Sequence, residues 1–98
     1  MKIARPAIAG TLESGDALIR LTPLAGDGVE LQITSSVKKQ FGAAIRATAA
    51  SIIKACGLQG AQVQIDDKGA LDCVLRARLE TAIARAANIA ALPWENAQ

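Results

Sequence analysis

Glu13, Ser14, Gly15 and Asp16 place one hydroxyl between two carboxylic acids, next to a residue with no side chain. A serine attacks substrates only when a neighbouring base takes its proton. The 98 residues include no histidine, so neither a Ser–His–Asp nor a Cys–His system can be assembled from them. The two cysteines, Cys56 and Cys73, lie far apart and cannot supply a tetrahedral zinc site on their own. They read as small, reduced core or surface residues. Glu13 and Asp16 could form an acid–base pair, but that role needs burial that a loop tip does not supply. What remains for Ser14 is a passive role. Its hydroxyl can accept a group delivered by another enzyme, and Gly15 leaves room for that enzyme's catalytic groups. Ser-Gly-Asp is also ordinary turn chemistry, so this reading depends on how the segment is held. Ser35 and Ser36 stand where a helix needs a cap, and Ser51 lies inside a helix, which makes Ser14 the serine best placed for modification.

Two other clusters carry charge. Asp66-Asp67-Lys68-Gly69 resembles a fragment of a calcium loop but lacks the later ligands, and reads as a turn. Arg78 and Arg85, seven apart on one helix flank, can dock an acidic surface or phosphates, or can simply be solvated. The net charge of +2, with both signs spread along the chain, and only two aromatic residues, Phe41 and Trp94, argue against nucleic-acid binding. No apolar stretch approaches the ~20 residues that span a bilayer. Met1 to Gly10 lacks the apolar run of a secretory signal, so the expected location is the cytoplasm.

These residues need a frame. Residues 7 to 24 alternate as a β-hairpin. With Ser14-Gly15 as its two-residue turn, Ile8, Gly10 and Leu12 share the core face with Ala17, Ile19 and Leu21. Glu13 then opposes Asp16, and like charges there favour a solvated, mobile tip. Pro23 closes the second strand. After the turn Gly26-Asp27-Gly28, Val29 to Ile33 alternate as a third strand. Ser35 or Ser36 caps a helix whose apolar stripe is Val37, Phe41, Ala44, Ile45, Thr48, Ile52 and Ala55, and Gly57 stops it. Gly60 to Ile65 form a fourth strand. A second helix follows, with the stripe Leu71, Leu75, Leu79, Ala82, Ala86 and Ile89, Ile83 at its edge, and Asp72, Arg76 and Glu80 paired along one flank. Residues 92–98 form an irregular tail. The expected fold is one α+β domain over 1–98: a two-layer sandwich in the order β-β-β-α-β-α, with two helices on one face of a mainly antiparallel four-stranded sheet.

The segments Gly10-Thr11-Leu12-Glu13-Ser14-Gly15-Asp16, Ser35-Ser36-Val37, Lys39-Gln40-Phe41-Gly42, Asp66 to Cys73, Arg76-Ala77-Arg78 and Leu92-Pro93-Trp94-Glu95 together resemble the acyl carrier protein of citrate lyase, its gamma subunit. The similarity runs from about Lys2 to Gln98. It implies a non-catalytic carrier with Ser14 esterified, through a phosphodiester, to a phosphoribosyl-dephospho-CoA arm, delivered as 2'-(5''-triphosphoribosyl)-3'-dephospho-CoA. Glu13, Gly15 and Asp16 frame that attachment. The implied partners are the alpha (acyl transferase) and beta (citryl lyase) subunits, the holo-carrier synthase transferase and the acetate ligase. The carrier of malonate decarboxylase also resembles this chain around its Ser-Gly-Asp loop and is the close alternative. A small ligand-binding or interaction domain without any modification is a second. The four-helix carriers of fatty-acid synthesis are unlike it, since no Asp-Ser-Leu opens a helix here.

Overall fold

The computed structural model describes residues 2, 3, 5–35 and 42–87. Ser36, Val37, Phe41, Ile89 and the tail with Trp94, all given roles above, lie outside the described residues. The element order is the expected one: β1 (Ala7–Ala9), β2 (Ala17–Pro23), β3 (Val29–Ser35), α1 (Gly42–Cys56), β4 (Ala61–Asp67) and α2 (Asp72–Ala87). The four strands form one sheet in the order β1-β2-β4-β3, so the last strand in sequence sits inside the sheet. Two pairings are antiparallel, β1 with β2 and β2 with β4, while β3 runs parallel to β4. A parallel pair needs a long crossover, and α1 supplies it.

Period-two patterning fixes which face is buried. Along β4, Ala61, Val63, Ile65 and Asp67 are buried and alternate with half-buried Gln62, Gln64 and Asp66. Their partners Leu21 and Ile19 on β2 and Leu31 and Ile33 on β3 fall on the same face. Leu75, Leu79, Ala82, Ile83 and Ala86 of α2 and Ile45, Ala49 and Ile52 of α1 join them in one core cluster. Fully burying each large aliphatic side chain contributes about 1.5 to 3 kcal/mol. Gln64 donates to Gln32 at 3.3 Å across the other, polar face.

The hairpin register differs from expectation by one residue. Ala7 pairs with Leu21, Ile8 with Arg20 and Ala9 with Ile19. Ala9 is therefore buried, while Ile8 and Leu12, expected in the core, are each 54% exposed. A slip of one residue moves every side chain to the opposite face. Its cause is Gly10, which leaves the ladder with φ +89; a Cβ there would lie 1.8 Å from the Ala17 carbonyl oxygen. Only glycine tolerates that approach. Ser14-Gly15 therefore lies at the end of a longer Gly10–Asp16 connection instead of closing a two-residue hairpin.

The helices also show local departures. On α1 the buried stripe is Ile45, Thr48, Ala49, Ile52 and Cys56, with Ala44 and Ala55 exposed. The stripe is turned towards α2, where Thr48 Oγ1 donates to Asp72 Oδ1 at 2.6 Å. The residues that a Ser35 or Ser36 cap would serve lie outside those described. Ser35 ends β3 and donates to Asp67 Oδ2 at 3.0 Å. Leu71 precedes α2 and is 70% exposed instead of opening the buried stripe. Gly57 does stop α1: its N–H donates to Lys54 O, and the Leu58 N–H to Ile53 O, the paired bonds of a Schellman motif. Arg76 pairs with Asp72 at 2.8 Å, as the spacing suggested. Among the described residues no helix is long and apolar enough to cross a membrane.

Gly10→Ala should destabilise the fold by about 2 to 3 kcal/mol, through strain at positive φ and the clash with Ala17. Gly28→Ala, with nothing near its Cβ position, should lose nothing and can gain up to about 1 kcal/mol. Urea melts of both variants check the contrast.

Candidate functional site

Residues 13 to 16 form a turn in which the Asp16 N–H donates to Glu13 O at 3.1 Å. Gly15, at its third position, has φ +84, the sign that a type II turn requires there. Ser14 takes the second position and is exposed. The turn runs into a β-bulge. Gly15 N–H donates to Lys68 O at 2.7 Å and Lys68 N–H to Asp16 O at 2.9 Å, so two residues oppose one, with glycine first in the left-handed conformation. This ladder extends the β2–β4 pairing by one step. The tip is thus fastened to the loop that follows β4. An ideal Cβ on Gly15 would meet no atom within 4 Å, so the space beside Ser14 is open.

The two acids expected to repel each other are separated by this geometry. Glu13 is exposed, and its N–H donates to Thr11 Oγ1 at 3.2 Å. The Asp16 side chain turns inward and is only 14% exposed. Its Oδ1 accepts from Arg78 Nε at 2.9 Å and from the Ala17 N–H at 2.8 Å. Its Oδ2 accepts from Thr11 Oγ1 at 2.8 Å and, longer, from Arg78 Nη2 at 3.5 Å. The hydrogen bond from Arg78, then those from Ala17 and Thr11, hold the Asp16 carboxyl at about 2. A carboxylate so well satisfied is a poor base at neutral pH. It organises the turn instead.

Arg78, which the sequence offers as either a docking or a solvated residue, has this internal partner. Arg85 is likewise engaged, donating from Nη1 to Ile8 O at 2.8 Å, while its own carbonyl accepts from Arg5 Nε at 3.0 Å. Both arginines fasten the β1–β2 region to α2. Thr11 and the Lys68 backbone escaped the sequence reading. The position of Thr11 five residues before Asp16 was the available signal for the first, but nothing local marks the second. Asp67 was read as part of a plain turn. It is buried, and besides Ser35 it accepts from the Gly69 and Ala70 N–H groups at 3.2 and 3.0 Å. That sets the course of the loop carrying Lys68. Of the cysteines, Cys56 is buried and Cys73 exposed; burial pushes the Cys56 thiol up.

Residues 4–86 match the model of a protein family, ACP, described as malonate decarboxylase delta subunit (MdcD). Among solved structures, a chain of a Pseudomonas malonate decarboxylase hetero-tetramer, crystallised in complex with malonate, superposes with a TM-score of 0.69. It is 22% identical, with 83% of this chain and 82% of that chain covered. A crystal structure from Thermus thermophilus matches with a TM-score of 0.62 at 14% identity. That match covers 87% of this chain but only 16% of the other, much longer one. At these identities both structures show a shared fold.

The Asp16 carboxyl ionises more readily folded than unfolded, where its value is 3.8. Its contribution to stability is therefore complete above that value and lost as pH falls through about 2. Arg78→Ala should move the Asp16 titration, followed by NMR, up towards 3.8 and speed exchange of the Ala17 amide. Asp16→Asn should remove this acid-range dependence altogether.

Proposed function

The chain belongs to the malonate decarboxylase delta subunit family of acyl carriers, and from that premise we propose that it carries an acyl group on an arm attached to Ser14. The observation that carries the proposal is the Ser14 turn: an exposed hydroxyl, open space beside Gly15, and a backbone fastened through Lys68 to the sheet. A phosphodiester fits this position. The negative charge nearest in sequence on the inward side, Asp16, is already neutralised by Arg78. The glycine offers no side chain to obstruct a transferase.

The arm in question is phosphoribosyl-dephospho-CoA, whose thiol holds the acyl group as a thioester when bound. The chain's own residues supply attachment and presentation. Thr11, Asp16 and Arg78 hold the turn, and Glu13, Ser14 and Gly15 face outward. Tethering raises the effective concentration of the acyl group at a partner's site to the millimolar range, provided the arm spans the distance. The carrier itself performs no step, since the bond-making groups belong to partner subunits.

The family description favours malonate decarboxylase as the complex served. A second reading, citrate lyase, rests on the resemblance of Leu92-Pro93-Trp94-Glu95, beyond residue 86, to its gamma subunit. In that case the partners are the alpha and beta subunits, with a holo-carrier synthase to load the arm and an acetate ligase to acetylate it.

Protein produced with a complete set of maturation enzymes should gain the mass of the arm, and Ser14→Ala should abolish the gain. An unmodified mass, or the adduct on another serine, overturns the proposal. The loaded carrier is then mixed with each partner set, and decarboxylation of malonate or release of oxaloacetate from citrate decides between the complexes. Gly15→Val should cost about 1 to 3 kcal/mol through its positive φ. Its loading rate, measured on folded protein, should fall by more than that loss of stability accounts for.

A further inference from the structure

The bulge that fastens the Ser14 turn also brings a lysine to it. Gly15 N–H donates to Lys68 O at 2.7 Å and Lys68 N–H to Asp16 O at 2.9 Å. Lys68 therefore sits one strand spacing, about 4.8 Å, from the residue that follows Ser14. It is half-buried, and among the described residues its ammonium has no hydrogen-bond or ion-pair partner. Three arginines of α2 are committed: Arg78 to Asp16 at 2.9 Å, Arg85 to Ile8 O at 2.8 Å and Arg76 to Asp72 at 2.8 Å. A lysine is a compact charge on a flexible four-carbon stem, and it binds phosphates as a point charge.

A phosphate ester on Ser14 creates a need for such a charge. The charged groups on the described elements that meet here are Glu13 and Asp16 of the turn, Arg78 of α2, and Asp66, Asp67 and Lys68 at the end of β4. Asp16 is neutralised by Arg78. Asp67 is buried and accepts from Ser35 and from the Gly69 and Ala70 amides. Asp66 opposes Leu18, farther along the ladder than Lys68. Glu13 remains, exposed and adjacent to Ser14, and a phosphate on the hydroxyl adds a second negative charge beside it. Adjacent like charges repel, and a cation across the ladder offsets that repulsion. We infer that the Lys68 ammonium is the counter-charge for a phosphate on Ser14, and so a binding residue for the first phosphate of the attached arm. The inference rests on the reading that the arm is joined through a phosphodiester. Lys68 then has two roles: its backbone holds the turn, and its side chain holds what is attached there.

The test places phosphoserine at position 14 of the full chain, so it does not depend on enzymatic loading. Its second ionisation, ordinarily near a pH of about 6, is followed by phosphorus NMR at low ionic strength. Lys68→Met and Lys68→Gln should each raise that pKa by about 0.3 to 0.7 unit, the shift an exposed ion pair supports. Lys68→Arg should keep most of the original value. Lys54→Met, in the last turn of α1 and so at the opposite end of β4 from Lys68, should change nothing. Added salt should shrink the Lys68→Met difference. Slow exchange of the Gly15 amide should persist in every variant, because the bulge uses only the Lys68 backbone. A pKa unmoved by both Lys68→Met and Lys68→Gln, or moved as far by Lys54→Met, overturns the inference. If phosphoserine responds to Lys68 but maturation enzymes never load Ser14, only the carrier reading fails; if Ser14 is loaded but phosphoserine ignores Lys68, only the counter-charge fails.

Discussion

Asp16 accepts hydrogen bonds from Thr11, Ala17 and Arg78, and through them one carboxylate joins the β1–β2 connection, the start of β2 and the middle of α2. Two of the positive-φ glycines, Gly10 and Gly15, flank that node. A carboxylate this enclosed needs its acceptor capacity filled. The donors come from a side chain five residues upstream, from the next amide and from a helix 62 residues away. The bulge at Gly15 and Asp16 then connects the same segment to β4 through Lys68. Ser14 is left outward on a turn whose every neighbour is held.

A second enclosed acid governs the opposite side of this assembly. Asp67, in the last position of β4, fixes the start of the following loop through the amides of Gly69 and Ala70 and joins the end of β3 through Ser35. The two acids lie near adjacent ends of paired strands, since Ala17 pairs with Asp67. Side-chain networks of this sort define one backbone path over its competitors when every member is satisfied. Here they define the path of two loops, one carrying the hydroxyl and the other carrying Lys68.

This division of labour suits a subunit that presents a group and does not transform it. The sheet and helices supply stiffness, and the polar networks hold the presenting turn at one edge. Several polar groups serve structure: Arg78 and Arg85 tie helix to sheet, and Asp72 ties α2 to α1 through Thr48. The arm proposed for Ser14 would add reach to a mount held in this way.

Element order and the buried positions of β4 and α2 were legible from periodicity, because alternation in strands and three-four spacing in helices report which side meets the core. Gly57 and Pro23 were legible as stops for equally local reasons, one taking a left-handed φ and the other lacking an N–H. The serine's candidacy followed from its neighbours alone. The one-residue register of β1, the insertion of β4 between β2 and β3, and the inward turn of Asp16 were not legible. Each depends on a partner distant in sequence: the Ala17 carbonyl against Gly10, the parallel ladder closed by α1, and the Arg78 guanidinium. Local patterning specifies which residues seek burial or a partner, and the folded chain determines which distant groups are available to satisfy them.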